Sequence, residues 1–275
     1  MQGLNRKISV VIPAYNKSQV ILPALQNILT HLKLETENFE IILVNNGSTD
    51  NTIEKAREFK KFNGDADKIR VYNLGQNCGK GAALCFGFEK TTGDIVIFAD
   101  GCWQLPARNL RVALAYLDQT AADIVLGSKR HPHSLVEYPL NLRFFSWCYQ
   151  TLNRFLFNLN VADTQVGLKV FKREALEAVM YKIGVGEAAF DLELLIVAKS
   201  AGFSKIFEFP IEIKNQIDLP INWKVVRNIL VNTLGIFWRK AILGYYEEKS
   251  TKHLEPLLLS RPKKLNTLQA ASPRD

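Results

Sequence analysis

Residues 8–48 read ISVVIPAYNKSQVILPALQNILTHLKLETENFEIILVNNGS, and their pattern decides the fold class. Ile8–Ile12 is a β-branched run of strand length. Ile21, Leu25, Ile28, Leu29 and Leu32 then recur at helical spacing behind Ser18, a residue type that can cap a helix. Phe39–Val44 is a second strand candidate. Strand, helix and strand in this rhythm form a βαβ unit, and the rhythm continues through Ile69–Tyr72, Asp94–Phe98 and Asp123–Leu126. An α/β fold with a mostly parallel sheet is therefore expected.

Several strand candidates run into polar or glycine-bearing turns: PAYN after Ile12, NNGS after Val44, ADGC after Phe98 and GSKR after Leu126. Ligands of open α/β sheets bind at the carboxyl ends of the strands, so these turns should line one crevice. Their convergence locates the site, since each turn alone uses residues common in any loop. Beyond residue 135 the chain turns to aromatic-rich helical sequence, then to residues 163–171, a helix from about Phe190 to Ser200 and a strand pair around Ile206–Ile213.

The chain has 275 residues, 47% of them hydrophobic, enough for a sizeable core, and a net charge of +8 that points to anionic partners. The start runs directly into a strand without an apolar leader, and the four cysteines show no metal or disulfide spacing. Both features lead us to expect a cytoplasmic protein. A membrane span needs about 18 nearly uninterrupted apolar residues. Arg143 and Arg154 break residues 138–162, and Lys224, Arg227, Arg239 and Lys240 break residues 221–246.

The turns, taken in order, resemble family 2 glycosyltransferases, in particular the dolichyl-phosphate glucosyltransferase and polyprenyl-phosphate sugar transferase branch. The resemblance rests on VVIPAYN (10–16), VNNGSTDNT (44–52), NCGKGAAL (77–84), FADGCWQ (98–104), DIVLGSKR (123–130), DTQVGLKVFKREA (163–175) and FDLELLIVAKSAG (190–202). It implies a Rossmann-like nucleotide-diphospho-sugar transferase domain of the GT-A type. It also implies a nucleotide-sugar donor, with Pro13, Tyr15 and Asn46 near the base and ribose, and a polyprenyl (dolichyl-type) phosphate acceptor. Lys80, in a glycine-flanked turn before a helix, matches the approach to a diphosphate, although the turn is not a Walker A loop.

In the family, a DxD motif followed by Gln holds a divalent metal, Mg²⁺ or Mn²⁺, on the donor. Asp100 and Gln104 preserve the first carboxylate and the amide, whereas Cys102 replaces the second carboxylate and weakens the case for the metal. A lipid phosphate is already anionic and needs no strong base, so orientation and stabilisation of the departing diphosphate, to which Asp100 belongs, would carry catalysis. If a base acts, Asp191 is the first candidate and Asp163 the second. Arg130 and Arg143 match the family's cations for the acceptor phosphate.

Residues 138–162 and 221–246 are aromatic and basic, with no Asp or Glu, which suits amphipathic helices on an anionic membrane surface or a docking face for a membrane-embedded partner. The expected organisation is a catalytic domain over 1–215, a basic amphipathic segment over 216–246 and a flexible tail over 247–275. On that division, a chain ended after Pro220 should fold and lose its membrane affinity. The protein is expected to sit peripherally on the cytoplasmic face of a membrane, and no nucleic-acid motif is present. The alternative is a degenerate relative that binds nucleotide or a partner without turnover, since Lys17, Asn46 and Cys102 stand where the family commonly has acids.

Overall fold

Alternate residues of the first strand, β1 (Ile8–Ala14), feed two different cores. Ile8, Val10 and Ile12 belong to one apolar cluster and Val11 to the other, because successive strand side chains leave opposite faces of a sheet. A strand buried on both faces needs helices on both sides. The computed structural model describes residues 6–100, 108–136, 140–184, 189–213 and 223–246.

Its strands continue as β2 (Phe39–Asn45), β3 (Ile69–Asn73), β4 (Ile95–Ala99), β5 (Ile124–Ser128), β6 (Leu168–Lys172) and β7 (Ile206–Pro210). The seven-stranded sheet has the order β3-β2-β1-β4-β6-β5-β7. Helices α1 (Ile21–Glu35) and α4 (Arg108–Thr120) pack on the first cluster. Helices α3 (Lys80–Glu89), α6 (Arg173–Met180) and α7 (Phe190–Ser200) pack on the second. Helix α2 (Thr52–Phe62) follows β2, and α5 (Leu140–Phe157) and α8 (Trp223–Ala241) complete the described helices.

Strand β6 was not evident in the sequence, and it runs antiparallel to both neighbours, with Ala99 opposite Leu168 and Ile124 opposite Phe171. That reversal brings the turn before β6 to the edge where β4 and β5 end. Residues 163–167 thus join the crevice that the parallel strand ends define.

The expected cap of α1 is not used. Val20 occupies the cap position without a side-chain bond, and the N–H groups of Val20 and Ile21 donate to the Lys17 carbonyl. Ser18 instead donates its backbone N–H to Asp50 at 3.1 Å, which ties the turn after β1 to the turn after β2.

The amino ends of the strands, away from the crevice, are held by Glu40, the register partner of Ser9. Its carboxylate accepts from the Ser9 hydroxyl at 2.6 Å and the Thr92 N–H at 2.6 Å, pairs with Lys7 at 3.1 Å and also pairs with Arg70. Burial opposes the charge, but the Ser9, Thr92 and Lys7 bonds and the Arg70 charge outweigh it and hold the pKa at about 2. Because the folded pKa is depressed, this stabilisation is complete above the unfolded value near 4.5 and is lost as pH falls toward 2. Glu40→Gln should therefore cost about 1.5–3 kcal/mol at neutral pH and flatten the acid limb of stability. Urea melts across pH 2–7 read both effects, and donor binding at the crevice should not change.

Candidate active site

The carboxyl ends of β1, β2, β4 and β5 are stitched together by their own turn residues. Asn16 accepts the Thr49 N–H at 2.9 Å and gives its own N–H to Ser48 at 3.0 Å. Asn46 donates its backbone N–H to Ala14 at 2.8 Å. Its side chain accepts the Cys78 N–H at 2.9 Å and donates to Asn77 at 3.0 Å, and Asn77 accepts the Gly79 N–H at 3.0 Å. Asn46 is thus buried framework that holds the turn carrying Lys80. Gly47 in the same turn has φ +70, and a Cβ there would lie 2.2 Å from the Gln76 carbonyl carbon, so only glycine lets the two turns touch. Pro13 is buried in β1, and Tyr15 is exposed at the crevice.

Lys80, the first residue of α3, meets Asp100 from the end of β4 at 2.8 Å and Asp191 from the first turn of α7 at 2.6 Å. Lys169 of β6 reaches the other oxygen of Asp191 at 3.0 Å. Two lysines and two carboxylates therefore form one linear cluster. Asp191 is 3% exposed and Lys169 1% exposed. Burial alone would raise the Asp191 pKa, but Lys169 and then Lys80 outweigh it and hold the carboxyl below its ordinary value. For Lys80, burial is overcome by Asp191 and Asp100, and its pKa is pushed up. Lys169 goes the other way, because burial dominates the pull of Asp191 and lowers it.

The structure brings together Lys80, Asp100 and Asp191, all candidates in the sequence. Lys169 is not among those candidates; a lysine buried in a strand between apolar neighbours signals that a buried anion faces it. Asp163, the second candidate base, is 5% exposed and accepts the N–H groups of Lys129 at 3.1 Å and Gln165 at 3.2 Å. It joins the turn after β5 to the turn before β6. That turn ends at Gly167, whose carbonyl accepts the Asp100 N–H at 2.8 Å. A Cβ at Gly167 would come within 1.7 Å of the Asp100 carbonyl oxygen, so the close approach requires glycine.

Arg130 donates from its guanidinium to the Ser146 carbonyl of α5 at 3.3 Å, and Arg143 is exposed one turn earlier on that helix. Between α5 and α8 lies a largely apolar cavity of about 450 Å³, lined by Phe145, Tyr149, Trp223 and Leu230 together with Lys129 and Asp163. Tyr149 links the two, since it lines the cavity and feels the charge of Asp191 in the ionic cluster. Burial raises the Tyr149 phenol pKa, and the Asp191 charge raises it further.

Cys102 and Gln104 lie outside the described residues. Among the described residues, no group of three or more His, Cys, Asp or Glu side chains could hold a metal ion. Asp100 supplies one carboxylate, already paired with Lys80. The residues described do not amount to a site for a hard divalent cation, which takes several oxygen ligands. Also among them, no helix is long and apolar enough to cross a membrane.

The chain is 30% identical over 226 residues to the glycosyltransferase AglD of Haloferax volcanii, covering 82% of this chain and 35% of that protein. It is 28% identical to human dolichyl-phosphate beta-glucosyltransferase, covering 87% of this chain and 73% of that protein, and 34% identical to the Drosophila melanogaster enzyme of the same name, covering 70% and 63%. The chain thus spans about a third of AglD and roughly two thirds to three quarters of the other two. Glucosyl-3-phosphoglycerate synthase of Mycobacterium tuberculosis, crystallised with Mn²⁺, UDP and phosphoglyceric acid, superposes with a TM-score of 0.65 at 20% identity over 85% of this chain and 79% of that one. That likeness bears out the GT-A-type α/β fold. Residues 9–180 match the model of glycosyl transferase family 2, and the chain belongs to that family.

Proposed function

We propose that the protein transfers a sugar from a nucleotide-sugar to a polyprenyl phosphate at a membrane surface. The observation that carries this reading is the juxtaposition of a paired lysine–carboxylate cluster with an apolar cavity between two basic, acid-free helices. Lys80 at the N-terminus of α3 suits a diphosphate and the cavity suits an isoprenoid. The names of the relatives, dolichyl-phosphate beta-glucosyltransferases, agree in acceptor class.

In the reaction, an acceptor phosphate oxygen attacks the anomeric carbon while the bond from that carbon to the nucleoside diphosphate breaks. Phosphate monoesters carry close to two negative charges at neutral pH, so the nucleophile needs no proton removed. An Asp191 held well ionised by Lys80 and Lys169 is a weak base, which agrees with that chemistry. Its role is to hold Lys80, and Lys80 with the first N–H groups of α3 meets the departing diphosphate. Tyr15, which is exposed, and Pro13 and Asn46 meet the nucleoside in this reading. Arg130 and Arg143 face the acceptor phosphate in this reading. Assays with and without Mg²⁺ or Mn²⁺ test whether Asp100 and Gln104 assist through a metal.

Phe144, Trp147 and Phe155 of α5 and Val231, Leu234 and Trp238 of α8 are exposed. Large exposed apolar surface flanked by arginines fits peripheral binding to an anionic leaflet, and the cytoplasmic leaflet supplies that charge. A second reading, nucleotide binding without turnover, is favoured by Cys102 in place of an acid.

One experiment separates the two. UDP-glucose and other nucleotide-sugars should raise the melting temperature, and label from the matching donor should pass to a polyprenyl phosphate presented in anionic vesicles. Stabilisation by donor without transfer would establish the second reading, and neither effect would end both. Arg143→Ala should lower transfer more than about tenfold while leaving the donor-induced shift intact, as expected for one lost charge-assisted contact. An equal loss of donor affinity would remove Arg143 from the acceptor side.

A further inference from the structure

The far end of α8 is joined to α7 by a buried ionic contact that lies apart from the Lys80 cluster. Glu193 follows Asp191 by one turn-half on α7 and is 0% exposed. Its Oε1 accepts from Arg239 Nη2 at 2.8 Å, in the last turn of α8, and from the Tyr246 hydroxyl. Its Oε2 accepts the Gly184 N–H at 3.1 Å. Arg239 Nε also donates to the Tyr246 oxygen at 3.0 Å. The chain turns back after α8, with the Tyr245 N–H bonded to the Arg239 carbonyl at 3.0 Å, and this return seats Tyr246 in the second core.

Packing alone does not call for such a group. An apolar trio of similar volume stabilises an interior as well as a buried ion pair or better, so what the charges add is direction. A planar guanidinium bonded through Nη2 and Nε to two different partners fixes both the rotation and the axial position of the helix that carries it. The other end of α8 contributes Trp223, Val226 and Leu230 to the cavity wall. From Arg239 to Trp223 the helix runs about 24 Å at roughly 1.5 Å per residue, so a tilt of about 10° at the joint would shift that wall by about 4 Å. The opposite partner, α7, holds Asp191 in its first turn.

We infer that Glu193, Arg239 and Tyr246 are positioning residues, a joint that sets the cavity wall of α8 at a fixed distance from Asp191 and so governs use of the acceptor but not of the donor. This inference rests on the reading of the cavity as the acceptor's place.

The test replaces the whole joint, so that no buried charge or hydroxyl is left unpaired: Glu193→Met, Arg239→Met and Tyr246→Phe together. The triple variant should fold, bind UDP-glucose within about twofold of wild type and show an apparent KM for polyprenyl phosphate raised about tenfold or more, the scale of a wall displaced by several ångström. Hydrogen exchange should quicken across α8 and stay slow in α7 and the sheet. Tyr246→Phe alone keeps the ion pair and should lie near wild type in both measurements. A folded triple variant with unchanged acceptor KM and unchanged α8 exchange would overturn the joint, as would a parallel loss of donor affinity. If wild type transfers no sugar to any polyprenyl phosphate, the functional reading falls by itself, and the exchange comparison still decides whether the contact orients α8.

Discussion

Asp191→Asn should cost the fold about 3–5 kcal/mol and lower sugar transfer by about 10²–10³-fold, the scales for unpairing a buried charge and for losing one preorganised electrostatic group. The substitution is nearly isosteric, so cavity formation does not enter. What changes is that Lys169, 1% exposed, loses the carboxylate 3.0 Å away, and Lys80 keeps only Asp100. The pH dependence gives the cause. In wild type the Asp191 pKa lies below its unfolded value near 3.8, so its contribution is complete above about pH 4 and is lost as pH falls further. Transfer should accordingly show no acid limb assignable to Asp191 between pH 5 and 9.

In the variant the slope keeps its sign but moves to alkaline pH. Burial already lowers the Lys169 pKa, and without its anion Lys169 folds neutral while the unfolded chain carries it protonated up to about pH 10.4. The unfolded state then binds the extra proton, so stability rises with pH, and the deficit of Asp191→Asn should shrink between pH 6 and 10. Adding Lys169→Met should recover most of the lost stability and little of the activity. Urea melts at several pH values check the first claim. A deficit independent of pH, or no rescue by Lys169→Met, would show that Lys169 is not the group left unpaired.

Much of the scaffold was legible because its signals are local. The β-branched runs became β1 to β5 with their ends moved by a residue or two, and the helix expected from Phe190 to Ser200 has those bounds. Strand β6 escaped because LKVFK places lysines at two of five positions, and composition says nothing about strand direction. The site was legible as a set of turns and illegible as a set of pairs. Lys80 and Asp191 are 111 residues apart, and no spacing rule connects them. Yet α7 carried a usable sign: apart from its two acids FDLELLIVA is apolar on every side, which marks a buried helix, and acids at positions 191 and 193 of such a helix need cations or hydrogen-bond donors. Asp191 drew notice through its family motif, whereas Glu193, matched in the same motif, did not.

Ending the chain after Pro220 should unfold it, against the expectation that residues 216–246 form a separable segment. Composition marks α8 as basic and aromatic, and that much suits a surface helix. The structure buries Ile236 and Tyr246 in the same apolar cluster as α7 and sets Arg239 on Glu193. Removing them takes away the partners of Glu193 and exposes apolar surface worth about 1.5–3 kcal/mol for each large side chain uncovered or lost. Together these approach the roughly 5–15 kcal/mol that separates a folded domain from its unfolded chain. A chain ended after Tyr246 keeps each of these partners and should melt within a few degrees of the full sequence. The comparison needs only circular dichroism melts and limited proteolysis of the two truncations. A cooperative transition near the wild-type temperature in the shorter one, with vesicle flotation lost, would establish α8 as an appended anchor and remove it from the core.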